Sequence, residues 1–212
     1  MESKKGKNFS KNRIRSERNP GDFYQTPPPL TRLFLQEYKA IDQKDTILEP
    51  ACGKMAIFNV LEEMDFQNVS AYDLETGIDF FDEQKQFDWI ITNPSFSKTF
   101  EWILKCKEVA RRGFALLLPL TYLHGQARYE KIYKDLTYPL KHVFIFTRYT
   151  QLGAEIREDG KIETGMQIYA WFVWKAFHQS MVDFDPKIHW LDNNEFVLRK
   201  EKKNAHELHQ ES

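Results

Sequence analysis

The chain has 212 residues, 42% of them hydrophobic, enough for one domain with a proper core. Its formal net charge is −1, and its only cysteines, Cys52 and Cys106, are too few for a disulfide framework or a four-cysteine zinc site. No apolar run of membrane-spanning length occurs and no apolar segment follows the basic N-terminus, so a cytoplasmic protein with reduced thiols and no membrane partner is expected.

Residues 1–21 read as a basic arm in which Lys4, Lys5, Lys7, Lys11, Arg13, Arg15 and Arg18 face only Glu2 and Glu17. Such an arm is either a solvated, disordered terminus or a holder of polyanions. A catalytic domain is expected over 22–178. Thr26-Pro27-Pro28-Pro29 sets the start of a helix, with Leu30, Leu33, Phe34 and Tyr38 on one face. DTILEPACG reads as strand and turn, MAIFNVLEEM as a helix, VSAYDLE as a strand closing on Asp73, and FDWIITNPSF as a strand stopping at Asn93-Pro94. A helix over Lys98 to Arg112 follows, with Gly113 as its stop, then a buried strand, FALLLPL. HVFIFT and MQIYAWFVWKAF are two late strands, Trp171 and Trp174 among their core residues, separated by a long polar loop from Arg148 to Gly165. Residues 179–212 are weakly periodic and read as a C-terminal extension. Alternating strands and helices predict an α/β Rossmann-like fold, a mostly parallel seven-strand-type sheet with helices on both faces.

Ligands of such sheets bind beyond the carboxyl ends of the strands. Glu49-Pro50-Ala51-Cys52-Gly53 places an acid and then small residues at one strand end, where backbone can approach a ligand closely. Asp73 lies at the next, able to accept the two hydroxyls of a ribose. Asp79-Phe80 offers a carboxylate for an amino group beside a ring that can stack. Asn93-Pro94-Ser95-Phe96 closes a third strand.

With NPSF in that position the chain resembles the amino-methyltransferases, a family that includes the N6-adenine DNA methyltransferases and places an Asn- or Asp-Pro-Pro-aromatic motif there. The resemblance runs in order over roughly Asp22 to Phe177 and implies S-adenosyl-L-methionine as cofactor. It casts Asn93, Pro94 and Phe96 as catalytic: the Asn oxygen and a Pro carbonyl accept the hydrogens of a weakly nucleophilic amine, and the aromatic stacks on an extruded base. It also implies that Tyr24 and Thr26, within Asp22-Phe23-Tyr24-Gln25-Thr26-Pro27, pack on the methionine part of the cofactor. Glu49, Pro50, Ala51 and Gly53 would form the glycine-rich turn, Asp73 would be the ribose acid, Asp79 and Phe80 the adenine pocket, and Asn93 would also touch the cofactor. Two positions depart from the pattern: Ser95 stands where the family has a second proline, and Met55 where it has a further glycine.

The implied partner is nucleic acid, adenine in DNA first, with RNA bases or a protein glutamine as alternatives. Ser95 and Tyr149 are the substrate-side candidates, though Tyr149 fits a sheet-edge cover better; Arg148, Arg157 and the basic arm are candidates for phosphate. A different class of reading is a degenerate, non-catalytic nucleic-acid-binding module, motivated by Ser95, Met55 and the arm. No metal is expected: His206 and His209 lie one helical turn apart without a third ligand, and His124 reads as a turn residue.

Overall fold

The computed structural model describes residues 24–153, 156–162, 164–177, 183 and 185–197. The arm, Asp22, Phe23, His206 and His209 lie outside them. Its elements are α1 (Pro28–Glu37), β1 (Thr46–Glu49), α2 (Ala56–Glu63), β2 (Asn68–Ala71), β3 (Phe87–Thr92), α3 (Thr99–Val109), β4 (Ala110–Pro119), α4 (Gln126–Arg128, continued by a π-helical turn over Tyr129–Tyr133), β5 (Leu140–Phe146), β6 (Tyr169–Lys175) and β7 (Lys187–Leu191). The strands form one seven-stranded sheet in the order β2-β1-β3-β4-β6-β5-β7. Only β6 runs against the others, pairing antiparallel with β4 and β5.

Strand side chains alternate between faces, and the long apolar runs of β3, β4 and β6 therefore feed two cores at once. Ile47, Trp89, Ile91, Leu117, Phe144, Trp171 and Val173 point to the face covered by α1 and α2, where they meet Leu30, Phe34, Ile57 and Leu61. Leu48, Ile90, Phe114, Leu116, Leu118, Phe172 and Trp174 point to the other, covered by Trp102, Ile103 and Cys106 of α3. Trp171 stacks on Phe34 at 4.9 Å between centroids and Trp174 on Phe114 at 5.0 Å; such pairs contribute about 0.5–1.5 kcal/mol each beyond area burial. Both cysteines are buried free thiols.

The sheet corrects the expected end of the third helix. That helix stops at Val109, and Ala110, Arg111 and Arg112 already belong to β4. Arg111 reaches Asp88 and Arg112 reaches Asp45, pairings that an extended backbone allows. Gly113 is no helix stop but a mid-strand residue: a Cβ there would sit 2.5 Å from Trp89 Cζ3 and 2.7 Å from the Trp174 carbonyl oxygen. Its lack of a side chain lets the indole of Trp89 lie against the sheet. β7 falls in the stretch read as a C-terminal extension, yet its backbone pairs in parallel with β5 from His142–Lys187 to Phe146–Leu191. Among the described residues no helix is long and apolar enough to cross a membrane, and no group of three or more His, Cys, Asp or Glu is placed to hold a metal.

Candidate active site

The carboxyl ends of β1, β2 and β3 lie side by side, because β1 is hydrogen-bonded to both neighbours. The turn after β1 crosses to β2: Cys52 N–H donates to the Tyr72 carbonyl at 3.1 Å, and Gly53 N–H to Asp73 Oδ2 at 3.0 Å. Asp73 Oδ1 accepts from Glu75 N–H. Each of these oxygens keeps a lone pair for a further donor, so a ribose acid fits the position. Asp79 caps the next turn through Phe81 N–H at 2.9 Å. The ring of Phe80 is buried and stacks on Trp102 at 4.7 Å, so its stacking partner in this structure is a core residue.

A small cleft opens at this edge, lined by Tyr24, Gln25, Thr26, Glu49, Ala51, Cys52, Ala56, Ile57 and Asn93. Five of the residues expected at a cofactor, Tyr24, Thr26, Glu49, Ala51 and Asn93, are brought together here. Pro50, Gly53, Asp73, Asp79 and Phe80 do not line it. Gln25, Cys52, Ala56 and Ile57 do, although none was expected at the cofactor; Gln25 and Cys52 each lie inside a segment already singled out, which was the available signal.

Glu49 is 1% exposed and leaves β1 pointing at the start of α2, where it accepts the Phe58 N–H at 2.7 Å. Burial pushes its carboxyl up to about 9, against the lowering effect of that N–H; the Asp73 charge adds a smaller push in the same direction. No cation pairs with it among the described residues. Burial likewise raises the Cys52 thiol, reinforced by the carboxylates of Glu49 and Asp73, which makes it a poor nucleophile.

Asn93 follows β3 directly. Its Nδ2 donates to the Tyr24 carbonyl at 2.7 Å, which fixes the orientation of the amide. Oδ1 is then buried with no partner. Six buried side-chain polar atoms lack partners among the described residues, and of these only Asn93 Oδ1 belongs to a residue lining the cleft. An orphaned buried acceptor costs about 1–3 kcal/mol and calls for an explanation. The segment carrying Tyr24 is held from its other side too, since Gly153 N–H donates to the Gln25 carbonyl at 2.8 Å.

The two departures from the family pattern have local explanations. Ser95 has φ −56°, a value a proline ring imposes, so the missing proline leaves the backbone where a proline would put it. Phe96, next in line, is half-buried and stacks on Tyr169 at 5.9 Å. Met55 has φ 63° and ψ 23°, left-handed backbone that glycine adopts freely and methionine does not. It does not line the cleft. Met55→Gly is expected to raise stability by about 1 kcal/mol, read as a Tm increase of about 2–4 °C with S-adenosyl-L-methionine affinity unchanged. A fall in Tm in thermal denaturation would mean that side-chain packing outweighs the backbone strain.

Tyr149 is half-exposed and outside the cleft lining. Its neighbour Arg148 is tied down: Nε and Nη2 both donate to Asn194 Oδ1, at 2.9 and 2.7 Å. The fully buried Asn193 accepts Arg148 N–H and donates to the Arg148 carbonyl, so the residues after β7 brace the loop after β5. His124 is exposed, its carbonyl accepting from the Arg128 guanidinium.

No protein-family model matches the sequence, and no curated protein matches it. Among solved structures the chain is similar to the type IIG restriction endonuclease BpuSI, at 14% identity and TM-score 0.52, over 81% of this chain and 27% of that one. It is also similar to the type I restriction enzyme EcoKI M protein (11%, TM-score 0.48, 81% and 49%) and to TrmN from Thermus thermophilus (14%, 0.45, 71% and 49%). The chain thus spans half or less of the length of each. The likeness to BpuSI is one of fold, and it agrees with the Rossmann-like α/β sheet that the strand order describes.

Proposed function

We propose that the chain is an S-adenosyl-L-methionine-dependent N-methyltransferase that acts on a nucleic-acid base, adenine N6 in DNA foremost. The observation that carries this reading is the buried, unpartnered Oδ1 of Asn93, a residue that lines the cleft and whose Nδ2 is held by the Tyr24 carbonyl. An acceptor held dry and unsatisfied suits a substrate N–H: it draws on the hydrogen of an exocyclic amine and leaves more lone-pair density on the nitrogen. Pro94 presents a backbone carbonyl next to it, and Phe96 a ring face for the base. No side-chain base is required, because the proton is lost after the nitrogen becomes cationic.

The residues present suit the cofactor. Glu49 is an acid buried in the cleft without a cation, complementary to the positive methionine end of the ligand, and Tyr24 and Thr26 border the same space. Asp73 and Asp79 have acceptor capacity for hydroxyl and amino groups. When bound, S-adenosyl-L-methionine supplies an electrophilic methyl group on a sulfonium.

The test is transfer of label from methyl-tritiated S-adenosyl-L-methionine into unmethylated DNA, total RNA and protein in parallel, with chromatography of the digests. Label in N6-methyladenine from DNA is expected. Label only in RNA or protein keeps the chemistry and replaces the acceptor, and no label from folded protein overturns the enzymatic reading.

A further inference from the structure

The cations that sequence alone offers for phosphate contact are engaged or outside the described residues. Arg148 is bound by Asn194, and Arg157 lies 3.6 Å from Asp159. Beside the NPSF segment a different set is free of carboxylates. Lys98, two residues past Phe96, holds its Nζ 5.7 Å from the ring centroid of Phe81. Lys131 Nζ lies 5.7 Å from the ring of Phe100, in the first turn of α3. Arg128, three residues before Lys131, sets its guanidinium carbon 4.1 Å over Tyr122 and donates from Nη1 to the His124 carbonyl, its remaining N–H groups meeting no carboxylate among the described residues. None of the three forms an ion pair among the described residues.

These side chains adjoin the candidate base pocket. Phe96 stacks on Tyr169, Tyr169 pairs with Pro119 at the end of β4, and β4 runs straight on into the turn that carries Tyr122. Tyr129 stands 53% exposed between Arg128 and Lys131, at the start of the π-helical turn, with the Lys134 ammonium 5.6 Å from its ring centroid and the rest of the side chain open to solvent. Acidic groups here are few: Glu130 is neutralised by Lys134, Asp135 by Lys107, and Glu101 is exposed on α3. Cations held over rings, alternating with an exposed aromatic, are the pattern that follows a single strand by phosphate contact and base stacking.

We infer that Lys98, Lys131 and Arg128, with Tyr129 as a stacking platform, form the track for the nucleic-acid strand that flanks the acceptor base. This rests on the nucleic-acid reading proposed above. The experiment is fluorescence anisotropy of a labelled 20-nucleotide single-stranded DNA and its duplex with the full chain, as wild type, R128Q/K131Q, K131E and Y129A, over a salt series. For single strands the double variant should bind at least tenfold more weakly, and its log–log salt slope should be shallower by about 1.4, roughly 0.7 for each lost phosphate contact. Y129A should lose about tenfold in affinity with an unchanged slope, because stacking is not salt-dependent. The Tm increase caused by S-adenosyl-L-methionine should persist in every variant. Lys131 is exposed, so K131E tests the track without disturbing the fold even if R128Q/K131Q is unstable. Wild-type binding with unaltered affinity and slope in K131E and the double variant overturns the track alone. Wild type that binds no nucleic acid, while transferring methyl groups to another acceptor, overturns the nucleic-acid reading itself and the track with it.

Discussion

Asn93→Ala should lower methyl transfer by about 10²–10³-fold or more, the range found when one positioned polar group is removed from a reacting centre. The same change deletes the donor that holds the Tyr24 carbonyl, a hydrogen bond whose net contribution is about 1 kcal/mol. Cofactor affinity should therefore fall only several-fold, and the thermal shift with S-adenosyl-L-methionine should survive. Asn93→Asp separates the two roles. It keeps an acceptor for the substrate amine but sets a carboxylate oxygen against the Tyr24 carbonyl, so it should weaken the strap and still turn over at least tenfold faster than the alanine variant. Single-turnover rates with saturating cofactor make the comparison. Equal rates in all three proteins would remove Asn93 from the chemistry.

Glu49→Gln is expected to move stability and binding in opposite directions. The folded carboxyl titrates at about 9, against 4.5 when unperturbed, so between these values the unfolded chain has released a proton that the folded chain retains. Stability from this group is full below pH 4.5 and is lost as pH rises toward 9. Glutamine carries no such dependence. The variant should match wild type near pH 4 and exceed it by a margin that grows as pH rises to 8, read as a Tm difference that widens over the same range. Its affinity for S-adenosyl-L-methionine should fall at least tenfold at pH 8, since a positive ligand end favours the ionised acid. Wild type should then release close to one proton on binding and the variant none, which calorimetry in two buffers of different ionisation enthalpy reads directly. Equal affinities with no proton release would leave Glu49 as a helix-capping residue only.

The sheet was legible because its apolar runs are long and nearly continuous, as strands buried on both faces require; Trp89, Phe114, Trp171 and Trp174 had to be core whichever face each took. The strand ends were legible because Glu49, Asp73 and Asn93 each follow a β-prone run. β7 was not. Its Lys187 and His189 interrupt any apolar pattern, Ile188 and Trp190 stay exposed, and main-chain pairing to β5 makes it a strand. The end of α3 was misread for a similar reason: helix propensity continues through Ala110 to Arg112, but ion pairs to Asp45 and Asp88 and the fit of Trp89 over Gly113 favour extension. Asp73, expected to face a ligand, also ties two strand ends together through Gly53. Whether an amide oxygen is satisfied depends on a carbonyl sixty-nine residues away, which no local pattern encodes.

The brace from Asn193 reaches the cleft although Asn193 does not line it. The cleft wall at Tyr24 to Thr26 is clasped by Asn93 on one side and by Gly153 on the other, and the loop bearing Gly153 begins at Arg148, whose main chain is gripped by Asn193. Replacing Asn193 by alanine should therefore slacken the cleft wall from a residue that lines no part of the cleft, through two intervening loops, while the pairing of β4 with β6 is left in place.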